Sequence, residues 1–215
     1  SAVIKQMVEP IESKFPQRIA LVLDGSKSLN AFLPEIAKSL DGIPSQPELS
    51  IYLAGDELQN IFNSGWQNAK SASSAVSDLK GAGGQDNVSG LLQAWEWTAA
   101  KPEGVIIWIH GAQPTLLTGI EPLKQRLDWR AAGGGPTIID VPVEPGPNVI
   151  AEKLATTGAM TALPRFGELN DDLERLFGVW SKRRTEFHFV RSIEKSADLA
   201  KEKSESASSH VIRLW

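Results

Sequence analysis

Asp24, Ser26 and Ser28 alternate in the run Asp24-Gly25-Ser26-Lys27-Ser28. One carboxylate and two hydroxyls supply hard oxygen donors, which suit Mg²⁺, Mn²⁺ or Ca²⁺. Residues 18–23 form a short apolar run just before them, and an amphipathic segment follows. The three oxygens therefore fall where a strand passes into a helix, the place where open α/β sheets hold their ligands. The same residues also make an ordinary turn, with Asp or Ser capping the first helix. The two readings are compatible, because a site emptied of its cation keeps its caps.

The elements that position these residues are readable from periodicity. Residues 18–23 predict a fully buried strand. Leu29, Phe32, Leu33, Ile36, Ala37 and Leu40 recur at helical spacing and predict a helix over 28–40. Strands are expected at 49–54, 105–109 and 137–141, with a short one at 58–62. Residues 67–80 are small and polar and form a weak helix at best. Helical stripes follow: Val88, Leu91, Leu92, Trp95 and Ala99; then Ile120, Leu123, Leu127 and Ala131; a segment over 148–157; then Leu169, Leu173, Leu176, Phe177 and Trp180. This alternation predicts a doubly wound α/β fold, with a mainly parallel central sheet and helices on both faces. Three parts are expected: a lead-in over 1–17, a domain over 18–180, and an extension or the start of a neighbouring module over 181–215. In that extension 185–193 reads as a strand, 194–209 as an exposed helix or linker, and 210–215 as a strand-like stub.

The strand–Asp-x-Ser-x-Ser–helix unit resembles the first motif of von Willebrand factor A domains, and the element order agrees over residues 18–180. In that family the motif opens a metal-ion-dependent adhesion site, where an acidic residue of the partner completes the coordination of the cation. The resemblance implies two further loops. One carries a threonine after a Gly-Gly pair; here Gly83-Gly84 is followed by Gln85, Asp86 and Asn87. The other carries Asp-Gly after an apolar strand; here the residues are His110-Gly111. His110 offers a neutral nitrogen, a poor partner for these hard cations, and its presence removes one negative charge. Asp86 would supply a compensating carboxylate or cap the helix that follows it. His110 would be a hydrogen-bonded structural residue or a ligand. The metal set carried by the resemblance is Asp24, Ser26, Ser28 and Asp86, with either a weakly bound Mg²⁺, Mn²⁺ or Ca²⁺ or none.

The tail His210-Val-Ile-Arg-Leu-Trp215 looks like the segment after the A domain in inter-alpha-trypsin-inhibitor-heavy-chain-like proteins. The resemblance implies a non-catalytic protein-recognition or adhesion domain with a degenerate metal site, cut from a larger bacterial protein. It further implies that this parent is extracytoplasmic or membrane-attached through parts outside this fragment. The alternatives are a fully metal-dependent adhesion domain and a hydrolase or phosphatase using the Asp24 loop. A dehalogenase-type phosphatase needs a second Asp where Ser26 stands. A Ser26/His110/Asp24 arrangement is conceivable at the same edge, but no Gly-x-Ser-x-Gly turn is present.

Composition narrows the rest. The 215 residues are 41% hydrophobic and 22% charged, enough for one sizeable core. A net charge of −4 gives no basic surplus to hold a phosphate backbone, so a protein partner is expected and nucleic acid is not. With no cysteine, thiolate metal sites and disulfides are excluded. No apolar run approaches the roughly 20 residues that span a bilayer. Of the seven tryptophans, Trp95, Trp108 and Trp180 are expected in the core. Trp97 or Trp66, if exposed, would anchor a partner.

Overall fold

A computed structural model describes residues 2–12, 16–43, 47–64, 69–84, 86–131, 135–181 and 185–195. In chain order its elements are β1 (Ala2–Glu12), β2 (Arg18–Asp24), α1 (Leu33–Ser39), β3 (Glu48–Ala54), β4 (Leu58–Ser64), α2 (Ala69–Ser77), α3 (Val88–Ala99), β5 (Val105–His110), α4 (Glu121–Ala131), β6 (Thr137–Pro142), α5 (Val149–Leu154), β7 (Met160–Ala162), α6 (Leu169–Ser181) and β8 (Thr185–Lys195). They fall into two units, Phe15–Lys182 and the remainder at both ends of the chain.

The larger unit is a six-stranded sheet in the order β4-β3-β2-β5-β6-β7. All neighbours are parallel except β4, which runs antiparallel to β3 at one edge. Residues 19–23 are fully buried, because both faces of the sheet are covered. Side chains alternate between the faces. Ile19, Leu21 and Leu23 join Ile107 and Ile109 in a core closed by α1, α2 and α6. Ala20 and Val22 join Ile106 and Trp108 in a second core closed by α3, α4 and α5. The expected doubly wound α/β fold is therefore present.

Several elements differ from the sequence reading. The segment over 28–40 is not one α-helix: a 3₁₀ turn at Lys27–Ala31 leads into α1, and another at Leu40–Gly42 closes it. Pro34 is the cause. It has no N–H to donate and fits the first turn of a helix, where it sits here. The weak helix over 67–80 is α2, a true helix held by tertiary contacts. Ala72 and Val76 are buried, and Ser73 Oγ donates to the Ala37 carbonyl at 2.9 Å. The short strand β7 carried no periodic signal. No helix among the described residues is long and apolar enough to cross a membrane.

In the smaller unit β1 and β8 pair antiparallel, from Ala2 opposite Lys195 to Glu12 opposite Thr185. The lead-in thus contains a strand that composition did not reveal. The segment after Lys195, including His210 and the stub to Trp215, lies outside the described residues, as do Trp66 and Gln85.

Candidate functional site

Asp24 is the last residue of β2, and His110 is the last of β5. These strands are neighbours where the winding of the sheet reverses, so their carboxyl ends open one crevice. The loops around it are joined through backbone. Gly25 N–H donates to the Ala54 carbonyl at 2.7 Å, and Gly83 N–H donates to the Gly25 carbonyl at 3.1 Å. Gly84 has φ of 131°, and a Cβ there would stand 2.4 Å from Gly55 Cα. Only glycine permits both that conformation and that approach.

Within this frame Asp24 is 1% exposed and accepts five hydrogen bonds. Its Oδ1 takes Ser26 N–H and Asn87 Nδ2, both at 3.2 Å. Its Oδ2 takes Ser26 Oγ at 2.8 Å, Gln113 Nε2 at 3.2 Å and Gly111 N–H at 3.3 Å. Since the Ser26 hydroxyl hydrogen goes to Asp24, the 3.0 Å contact between Ser26 and Ser28 is a donation from Ser28. Behind Asp24, Trp108 Nε1 donates to Asn87 Oδ1 at 2.8 Å. A buried chain thus runs from Trp108 through Asn87 to the carboxylate. Ser26 stands at the start of the first 3₁₀ turn but makes no side-chain cap; Asp24 takes its N–H, and Leu29 N–H donates to its carbonyl at 3.3 Å.

The structure brings Asp24, Ser26 and Ser28 together. Asp86 makes no hydrogen bond to them. Its Oδ1 accepts Val88 N–H, the first of α3, at 2.9 Å from one residue before the N-cap Asn87, and its Oδ2 accepts Thr118 N–H. His110 is 1% exposed and stacks on Trp108 at 3.9 Å between ring centroids. Its Nε2 lies 2.6 Å from Asp140 Oδ1 and its Nδ1 lies 2.5 Å from the Gly111 carbonyl. Both ring nitrogens are engaged away from Ser26, so no Ser–His pair forms. Trp97, read as a candidate anchor, is half-buried with Arg18 4.6 Å above its ring.

No protein-family model and no curated protein matches this sequence. Solved structures do match. One is described as von Willebrand factor type A from Catenulispora acidiphila, with a TM-score of 0.61 and 13% identity over 84% of this chain and 50% of that one. The fold is that of a von Willebrand factor A domain. A second such structure is proximal thread matrix protein 1 from the mussel byssus, described with a zinc-occupied MIDAS motif. Its TM-score is 0.52, at 15% identity over 80% of this chain and 48% of that one. A third is the manganese-loaded TRAP protein of Plasmodium vivax, with a TM-score of 0.50 and 11% identity over 91% and 83%. The chain spans about half the length of the first two.

An A domain implies a cation at this edge, and the donor set decides how well one fits. A carboxylate offers about four lone-pair sites, and five donors already point at Asp24. Among the described residues no group of three or more His, Asp or Glu is arranged to hold a metal ion. As arranged, Asp24 has no lone pair left for a directly bound divalent cation, which would have to win one from these donors. Two participants escaped the sequence reading. Asn87 lies in the loop that was singled out, but was not assigned to Asp24. Gln113 carries no signal in type or spacing, and its Oε1 is buried without a partner among the described residues.

Beside the A-domain crevice lies a cleft of about 610 Å³ lined by His110, Asp140, Glu144, Asn148, Glu152 and Arg165, with prolines between them. Arg165 is held from behind: its Nε donates to Asp172 at 2.9 Å, and its guanidinium also reaches the Pro142 carbonyl at 2.8 Å. Burial alone would raise the Asp172 carboxyl. The Arg165 hydrogen bond, the backbone N–H groups of Phe166 and Gly167, and the Arg165 charge together hold it below its ordinary 3.8.

Proposed function

We propose that this chain is a non-catalytic protein-recognition domain of a larger protein, and that it presents the carboxyl edge of its sheet to that partner. In this reading the edge is a degenerate adhesion site, in which amide and hydroxyl donors have taken over the charge-neutralising role of a cation. The observation that carries it is the saturation of Asp24 by five donors from the segments around 26, 87, 111 and 113. Such a network holds the loops in one geometry without an ion. The engagement of both His110 nitrogens supports a structural role there. By the family resemblance we place the parent protein outside the cytoplasm or at a membrane.

One observation favours a metal-dependent reading. The Ser26 and Ser28 hydroxyls remain side by side, and two of the similar structures are described with zinc or manganese. Calorimetric titration with Mg²⁺, Mn²⁺ and Ca²⁺ separates the two. The degenerate reading expects no binding heat and no change in melting temperature at millimolar metal. Saturable binding that Ser26→Ala abolishes refutes it.

A further inference from the structure

We propose that the cleft beside Gly111 receives a basic side chain, arginine or lysine, from a partner protein. This rests on the recognition reading above and assigns the chemistry of its partner.

Gly111 is the floor of the cradle. A Cβ there would stand 2.8 Å from Ser28 Oγ, 3.0 Å from Glu144 Oε1 and 3.6 Å from Asp24 Oδ2. Oxygens from two loops converge on one point, and two of the three belong to carboxylates. Asp24 is filled by its donors. Glu144, on the loop between β6 and α5, is half-buried and has no hydrogen-bond or ion-pair partner among the described residues. What is free here is acceptor capacity. Its complement is a cation rich in N–H groups, and charge-assisted bonds to carboxylate are the strong ones.

The cleft suits the rest of such a side chain. Pro142, Pro145, Pro147 and Ala151 offer apolar wall to a methylene stem. Glu152 stands exposed at the rim, with no side-chain partner among the described residues. The resident cation, Arg165, is already committed to Asp172 and the Pro142 carbonyl. Acidic residues outnumber basic ones in the loops of this edge. The loops over 24–28, 55–57, 81–87, 110–119 and 142–148 carry Asp24, Asp56, Glu57, Asp86 and Glu144 against Lys27 alone. A metal-loaded A domain attracts an acidic residue, whereas this edge without an ion repels one.

The test uses the full 215-residue chain, isotope-labelled, in excess EDTA. N-acetyl-arginine amide and N-acetyl-lysine amide are titrated beside N-acetyl-glutamine amide and N-acetyl-glutamate amide. We expect saturable amide shifts at Gly111, Glu144 and Glu152 with the two basic probes alone. Added salt weakens them. Glu144→Gln lowers affinity about tenfold, the scale of one charge-assisted bond, and Glu152→Gln lowers it less. Neither substitution moves the melting temperature, so lost binding is not lost folding. Equal shifts from the glutamine probe, no saturable shift, or full affinity in Glu144→Gln overturns the proposal. A calorimetric metal titration without EDTA separates the two levels. Metal binding at the edge brings down the degenerate reading as well; its absence, with no basic probe bound, brings down this inference alone.

Discussion

Replacing Asp24 by asparagine keeps the size of the side chain and removes its charge. One acceptor oxygen remains, so Ser26 N–H and Asn87 Nδ2 keep a partner. The new amide NH₂ meets Ser26 Oγ, Gly111 N–H and Gln113 Nε2, which are donors. Gln113 can turn its amide and accept from the new NH₂, exchanging one unpaired atom for another. Ser26 can rotate its hydroxyl. Gly111 N–H can do neither, and an unsatisfied buried donor costs roughly 1–3 kcal/mol. The two surviving bonds fall from charged to neutral strength, a further loss of about 1 kcal/mol. The sum is a destabilisation of about 2–4 kcal/mol, a large share of the ~5–15 kcal/mol typical of a domain. Urea unfolding in excess EDTA measures it, as a lower midpoint at unchanged slope. If Asp24 instead waits for a cation, losing its charge without metal relieves repulsion. A variant as stable as the wild type in EDTA, or more stable, therefore refutes the reasoning.

Gln113→Glu sets a second carboxylate beside Asp24 Oδ2, where like charges oppose each other. The variant should melt lower than the wild type in EDTA and recover with Mn²⁺, and thermal scans that show no metal response count against the donor-for-cation exchange. His110→Asp, the substitution that restores the family residue, loses the Trp108 stack and sets a buried carboxylate against Asp140. We expect a loss of roughly 3–5 kcal/mol in chemical denaturation and no gain in metal affinity by calorimetry. For Asp172 the folded carboxyl is held below 3.8, so its contribution is fully present above 3.8 and is lost as pH falls through the lower folded value. Asp172→Asn should cost about 1–3 kcal/mol at neutral pH, and the gap to wild type should close only in the acid range below 3.8; a gap that closes near neutrality contradicts this sign.

The sequence made the fold legible because β2, β5 and β6 are apolar runs covered on both sides and α3 and α6 carry long stripes. Those signals are local. Asp24 was legible as a site residue for the same reason, as a carboxylate at the end of a buried strand. Its partners were not. Asn87, Gly111 and Gln113 lie 63, 87 and 89 residues away along the chain, and only the closed sheet brings them together. Asp86 shows the limit of residue type as a guide. A carboxylate in the right loop serves α3 and Thr118 instead, because the backbone donors at the start of a helix need an acceptor. Likewise α2 is too polar to declare itself, and β7 is too short for a period to appear.

The pairing of β1 with β8 has a mechanical consequence. Tension applied at the two ends of this chain meets the ribbon first at Ala2 and Lys195, which face each other. Both strands are then pulled from the same end, so the ladder unzips one pair at a time. Glu12 and Thr185, from which the chain enters and leaves the sheet domain, are the last pair to part. The ribbon acts as a clasp that shunts the load between its two strands. While its 11-residue strands hold, the force bypasses the sheet, and the hydrogen-bonded edge around Asp24 keeps its geometry.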